Sequence, residues 1–330
     1  MTAFIGRREV ITLIGGAAAA WPRMVRAQQP KRMRRIGLLM GDSSAQPYVT
    51  AFVQALRTLG WIDGENLNID VRWNADERPN ALAGELVGLA PDAILCAFTL
   101  NLMALQQATR SVPIVFMQVS DPIAQGFVAS LSRPGGNLTG FTNFEFSIGG
   151  KWVELLKQIA PDLLRVAVMF NPDRSPQSKY FLRAIEGAAR SFGAQVVAAP
   201  VRSIAEIESS IEGLSGQPGG LILPTDGFTT FHQKLIADLA TRHRLPAVTG
   251  NSNHFEASGI LLYHGSNANL VESYRQAASY IDRILKGANP SEMPVQLSTS
   301  FRLVINLKTA KALGLEVPPT LLVRADEVIE

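Results

Sequence analysis

Residues 34–44 read RRIGLLMGDSS, and residues 164–175 read LRVAVMFNPDRS. Each is an uninterrupted apolar run that ends in a short polar turn, the pattern of a strand buried on both faces. Both are followed by helix-length segments. In 48–59, YVTAFVQALRTL, Val49, Phe52, Val53, Leu56 and Leu59 fall at helical spacing and Gly60 stops the run. The segment after 175 predicts a helix over 176–192 that ends at Gly193.

The likeness extends outward. NLNIDVRW (66–73) predicts a second strand, and QVVAAPV (195–201) is its counterpart. DAILCAF (92–98) is matched by GGLILPTD (219–226), and PIVFMQVSDP (113–122) by PAVTGNSN (246–253). The same elements return in the same order about 130 residues later, so a whole lobe of alternating strands and helices is repeated. Strands that alternate with helices predict parallel sheets covered on both faces. The expected fold is α/β: two Rossmann-like lobes with parallel sheets, joined by a multi-strand hinge. SRPGGNLTGF (132–141), with Pro134, Gly135 and Gly136, is the expected first crossing. GILLYHG (259–265) predicts another strand, 269–285 an amphipathic helix, and 298–315 a last strand and helix. The expected division is 34–140 plus 255–290 for the N-terminal lobe and 141–254 plus 291–330 for the C-terminal lobe.

Residues 1–27 do not belong to either lobe. Arg7 and Arg8 precede the apolar stretch Val10 to Ala20, which is too short to span a bilayer, and Val25-Arg26-Ala27 supplies small residues for cleavage after Ala27. Paired arginines before a mildly apolar run resemble a twin-arginine export signal. Four of the 31 Lys+Arg and one of the 28 Asp+Glu lie in this segment, so the remainder carries 27 of each. The basic balance therefore gives no nucleic-acid footprint. The one cysteine, Cys96, lies in an apolar run and is expected to be buried; an exported chain with one cysteine forms no internal disulfide.

Catalytic patterns are missing. GNSNH (250–254) lacks the last glycine of a nucleophile elbow, and in the segment ending GGKW (149–152) Glu145 stands where a phosphate-binding loop needs its first glycine. The four histidines, 232, 243, 254 and 264, have no metal-ligand spacing. His232 and His243 are expected on exposed helix faces, His254 and His264 near strand ends. No cofactor or metal is expected. Instead, short polar residues gather after the strands: Asp42, Ser43, Ser44, Thr99, Asn101, Ser120 and Asp121 in the first lobe, and Asn171, Asp173, Thr225, Asp226, Asn251 and Ser252 in the second. Ligands of open α/β sheets bind outside the carboxyl ends of the strands. Such residues are also ordinary helix N-caps.

RREVITLIGGAAAAWP…RAQQ (7–29), GDSSAQPYVTAFVQALRTLGWIDGENLNIDVRW (41–73), VPIVFMQVSDPIAQGFVASLSRPGGNLTGF (112–141) and FRLVINLKTAKALGLEVPPTLLVRADEVIE (301–330) resemble the bacterial ABC-transporter substrate-binding proteins of the tryptophan/tyrosine-type group. The resemblance covers nearly the whole chain. It implies a type I periplasmic-binding fold and a periplasmic receptor, a monomer, that traps a small polar or aromatic solute by hinge closure. The solute, an amino acid or organic acid, would be delivered to an ABC permease in the inner membrane. It also implies ligand contacts after equivalent strands: Ser43, Ser44, Thr99, Asp121, Asn143, Asn171, Asp226 and Asn251. Phe98 and Leu100 are expected to narrow the pocket or to pack, and TNFEFSIGGK (142–151) to bring Phe144 and Phe146 to the cleft, to stack on a ligand or to join the core. The rival readings are a sensor of the same fold and an exported α/β enzyme.

Overall fold

The computed structural model describes residues 32–330 except 42, 75–77, 252–254, 267–268 and 299. Residues 1–27, expected to be an export signal, and the candidates Asp42, Ser252 and His254 lie outside the described residues.

Thirteen strands form two sheets among the described residues. The first sheet holds β1 (Arg34–Met40), β2 (Leu67–Trp73), β3 (Ala93–Ala97), β4 (Ile114–Val119), β5 (Leu138–Thr142) and β11 (Gln296–Leu297), in the order β11-β5-β4-β3-β1-β2. The second holds β6 (Arg165–Phe170), β7 (Gln195–Pro200), β8 (Gly219–Leu223), β9 (Ala247–Thr249), β10 (Leu262–Ser266), β12 (Phe301–Asn306) and β13 (Glu327–Ile329), in the order β13-β12-β10-β9-β8-β6-β7. The first five strands of each lobe therefore follow one spatial plan, second-first-third-fourth-fifth. All pairings are parallel except β10 with β12. The inner strands are buried along nearly their whole length, which is why they read as unbroken apolar runs.

Helices α1 (Gln46–Thr58), α2 (Pro79–Gly88) and α3 (Thr99–Ala108) belong to the first lobe. Helices α4 (Ile148–Ile159), α5 (Ser178–Ser191), α6 (Ile204–Glu212), α7 (Gly227–Phe231), α8 (Gln233–Arg242) and α9 (Phe255–Ser258) belong to the second. Helix α10 (Leu270–Leu285) packs on α1 and on the first sheet. Helices α11 (Leu307–Leu313) and α12 (Pro319–Leu322) close the second core. Each sheet is covered on both faces by apolar clusters, and fully buried Cys96 packs in one of them.

One expectation needs correction. Residues 255–266 do not join the first lobe: β10 pairs with β9 and β12 in the second sheet, and Phe255 packs in the second core. The apolar run 259–265 suits an inner strand of either sheet, and its five-residue pairing with β12 fixes it here. In the same way β5 ends in the first sheet at Thr142, and Gln296–Leu297 pair with Phe141–Thr142, while the chain from Phe301 onward lies with the second. Among the described residues the chain thus crosses between lobes three times: after β5, after β10 and after β11.

Two glycines set close approaches. Gly140 has φ 154°, and a Cβ there would lie 2.1 Å from the Phe116 carbonyl oxygen of the neighbouring strand. A Cβ on Gly250 would lie 2.4 Å from the Trp152 ring, which docks α4 beneath β9. Gly140→Ala combines backbone strain with a backbone clash and should cost about 2–4 kcal/mol. The expected readout is a lowered urea midpoint at unchanged slope; an unshifted midpoint would show that the β4–β5 contact relaxes freely.

Candidate functional site

The sheet order gathers the candidates into two contiguous rims. In the first sheet β5, β4, β3 and β1 are neighbours. Their carboxyl ends carry Asn143, Asp121, Thr99 and the Ser43–Ala45 3-10 turn in that sequence. In the second, β9, β8 and β6 are neighbours, and their ends carry Asn251, Asp226 and Asn171.

In the first rim, Ser43 and Ser44 are exposed. Thr99 opens α3, is 3% exposed, and its Oγ1 makes no hydrogen bond among the described residues. Asn143 accepts from Ser120 Oγ at 3.0 Å and from the Phe144 amide at 3.1 Å through one oxygen. Asp121 sits at φ 40°; its Oδ1 accepts from the Ala124 amide and its Oδ2 from the Phe146 amide, 3.0 and 3.3 Å away. Its own amide donates to the Phe144 carbonyl. Asp121 therefore fastens the end of β4 to the first crossing. Asn101 is a buried staple: its Nδ2 donates to the carbonyls of Met40 and Ala97, joining the ends of β1 and β3, and its Oδ1 accepts from Asn74.

In the second rim, Asp226 caps α7 by accepting from the Thr229 amide at 2.8 Å, and its other oxygen accepts from the Asn171 amide at 2.8 Å. Both carboxylate oxygens are engaged, so Asp226 shapes the rim from 3% exposure. Burial pushes its pKa up, and the backbone donors pull it back down in part. Asn171 accepts from the Asp173 and Arg174 amides through Oδ1, and its Nδ2 makes no hydrogen bond among the described residues. Asn251 donates from Nδ2 to Thr230 Oγ1 at 2.9 Å.

The aromatic candidates divide. Phe144 and Phe146, 2% and 5% exposed, are core residues packed against Trp152 and Phe181, because α4 and α5 close over them. Phe98 is 43% exposed at φ 73°, with its ring against Gly41 across the ends of β3 and β1. A bulky residue held in that backbone region costs about 1–3 kcal/mol and persists where surroundings impose it. Two features escaped the sequence reading. Phe231 ends α7 at 83% exposure, and the Arg174 guanidinium lies 5.5 Å from the Phe228 ring centroid. The composition of GFTTFHQ (227–233), two phenylalanines just after a capping aspartate, was the available signal.

His232 is half-buried between Phe228 and Phe231 rather than on an open face, and His243 is half-buried too. Burial, then Arg174, lowers the His232 pKa. Among the described residues no group of three or more His, Cys, Asp or Glu could hold a metal, and no helix is long and apolar enough to cross a membrane.

Replacing Asp226 by Asn leaves one of two buried amides facing an NH₂ group, at a cost of about 1–3 kcal/mol. Because the folded carboxyl titrates above its unfolded value, its share of stability is fully present at low pH and falls as pH rises towards the folded pKa. Urea melts of Asp226→Asn against pH should show the overall loss and the absence of that falling contribution; superimposable curves would contradict the cap.

A curated relative, the tyrosine-binding protein of Clostridioides difficile (strain R20291), is 27% identical over 290 residues, covering 87% of this chain and 82% of the relative. A conserved domain protein from Vibrio cholerae O1 biovar El Tor superposes with a TM-score of 0.78 at 24% identity, covering 90% of this chain and 100% of that one. An ABC domain in complex with L-Trp from Streptococcus pneumoniae gives 0.74 at 23% identity, covering 90% and 99%. The structural likenesses place the fold among type I periplasmic binding proteins. Residues 37–329 match the sequence model for ABC transporter substrate binding proteins, and the chain belongs to that family.

Proposed function

We propose that this chain is an exported receptor that binds an amino acid with an aromatic side chain between its lobes and delivers it to an ABC permease, with no chemistry of its own. The observation that carries this reading is the pairing of two contiguous polar rims with two solvent-exposed phenylalanines, Phe98 and Phe231, one on each lobe. Ser43, Ser44, Thr99, Asn143, Asn171 and Asn251 would supply hydrogen bonds to the polar end of the solute. Asp121 and Asp226, whose oxygens serve backbone amides, would hold the rims in shape. The phenylalanine rings would offer faces to an aromatic body. The relatives named for tyrosine and crystallised with L-Trp support the class of solute. A solute preferring the closed arrangement shifts the population towards it.

Thermal melts of residues 28–330 with L-tryptophan, L-tyrosine and L-phenylalanine test the class. A ligand at 100 times its dissociation constant adds about 2.7 kcal/mol. Phe98→Ala should weaken the best ligand by about 5–10-fold, the worth of one aromatic contact. No stabilisation by any of the three would contradict the proposed solute, and recovery of a chemically altered ligand would favour the enzyme reading.

The export claim has its own test. Replacing Arg7 and Arg8 by Lys should leave the precursor uncleaved inside the cell if a twin-arginine receptor reads the segment. Normal maturation after Ala27 in that variant would contradict it.

A further inference from the structure

Strand β4 does not run straight to its end. Met117 pairs with Phe141 and Val119 with Thr142, so Gln118 is an extra residue opposite no partner. It sits at φ 55°. Five non-glycine residues have positive φ among the described residues, and three of them, Phe98, Gln118 and Asp121, lie at the carboxyl ends of β3 and β4. Backbone strain of this kind gathers where a ligand is held. The bulge also turns the side chains. Val115 and Met117 face the core shared with α1 and α10, and Phe116 faces the opposite one. Strict alternation would put Gln118 with Phe116 and Val119 with Met117. Instead Val119 packs on the Phe116 side, and Gln118 reaches Tyr274 of α10. The side chain re-aimed in this way is the single polar one of the strand, half-buried where the others are buried.

Tyr274 fixes which end of the Gln118 carboxamide is engaged. Its side chain is fully buried, and Tyr48 stacks on its ring at 5.5 Å. Its hydroxyl donates to Gln118 Oε1 at 3.5 Å and makes no other hydrogen bond among the described residues. Burial pushes the phenol pKa up, so the group keeps its proton, and a buried proton needs an acceptor. Gln118 Oε1 is that acceptor. Nε2 makes no hydrogen bond among the described residues and is left with both of its N–H donors. Aromatic faces stand nearby. The Phe98 amide donates to the Met117 carbonyl at 3.0 Å, which sets the exposed Phe98 beside Gln118 at the last rung between β3 and β4. Half-buried Tyr48 covers Tyr274.

We infer that Gln118 is the residue that reads the distal edge of the solute's ring, donating from Nε2 to an acceptor atom carried there, as the hydroxyl oxygen of tyrosine is. The inference rests on the aromatic amino acid proposed above as solute. Phenylalanine would leave the donor desolvated and unpaired when the lobes close. An indole N–H would meet a second donor, because Tyr274 holds the carboxamide with its oxygen turned away. A site built to hydrogen-bond one group of its ligand rejects analogues that lack it, for this reason. Tyr274 is the positioning residue: it touches no solute and sets the orientation of the group that does.

Calorimetric titration of residues 28–330 with L-tyrosine, L-phenylalanine and L-tryptophan tests this. The parent chain should bind tyrosine about fivefold more tightly than either of the others, the difference that one neutral hydrogen bond makes. Gln118→Met, of similar length and without the amide, should bring tyrosine and phenylalanine to equal affinity. Tyr274→Phe removes only the hydroxyl and frees the carboxamide to turn its oxygen outward. Tryptophan should then draw level with tyrosine while phenylalanine stays behind, whereas a purely structural loss at this buried position would weaken all three alike. Equal affinities in the parent chain, tryptophan bound more tightly than tyrosine by it, a tyrosine preference that survives Gln118→Met, or uniform weakening in Tyr274→Phe would each overturn the inference and leave the solute class standing. Binding of none of the three by the parent chain would remove the solute class and this inference with it.

Discussion

A parallel strand that hands its chain to a helix leaves backbone amides at the turn without partners. In this molecule those turns are finished from within. Asp226 takes the amide at its own helix start and the amide at the end of the neighbouring strand. Asn171 takes two amides of its own turn, Asn101 staples the ends of β1 and β3, and Asp121 binds the first crossing. Each bond between adjacent turns fixes the spacing of a rim, and a rim of fixed spacing can hold a solute without first ordering itself. The buried polar residues at the strand ends are thus of two kinds: those consumed in building the floor, and those with a group left over.

The repeated lobe was legible because its cause is local. Buried parallel strands must be apolar throughout, and the turns after them must be polar, so the order of elements stands in the composition of short runs. The position of 259–265 was not legible, since an inner-strand run fits either sheet and the choice rests on pairing with Phe301–Asn306, some 40 residues away. Phe144 and Phe146 stayed open between cleft and core for a related reason: the choice rests on two helices that pack over them. The candidate site was legible as a set of positions and not as a set of roles. Nothing near Asn171 or Asp226 in the sequence says that one donates its amide to the other across 55 residues. Nor does composition tell that Phe98 is held at positive φ.

The crossings carry the second theme. Three separate connections at one edge of the two sheets permit rotation about that edge and resist sliding. They also put residues of distant sequence beside one another: Glu145, Lys151, His264 and Phe301 line one cavity of about 450 Å³. The family gives the coarse function, solute binding for an ABC transporter. The two rims and their exposed rings give the finer proposal its content, since closure must bring the two polar sets onto one small molecule.

The most direct test of that claim is small-angle scattering from residues 28–330 with and without saturating L-tryptophan. A receptor that closes its lobes on the solute contracts, so the radius of gyration should fall while the mass stays unchanged. Binding shown by calorimetry with an identical scattering curve would contradict closure of the rims on the ligand.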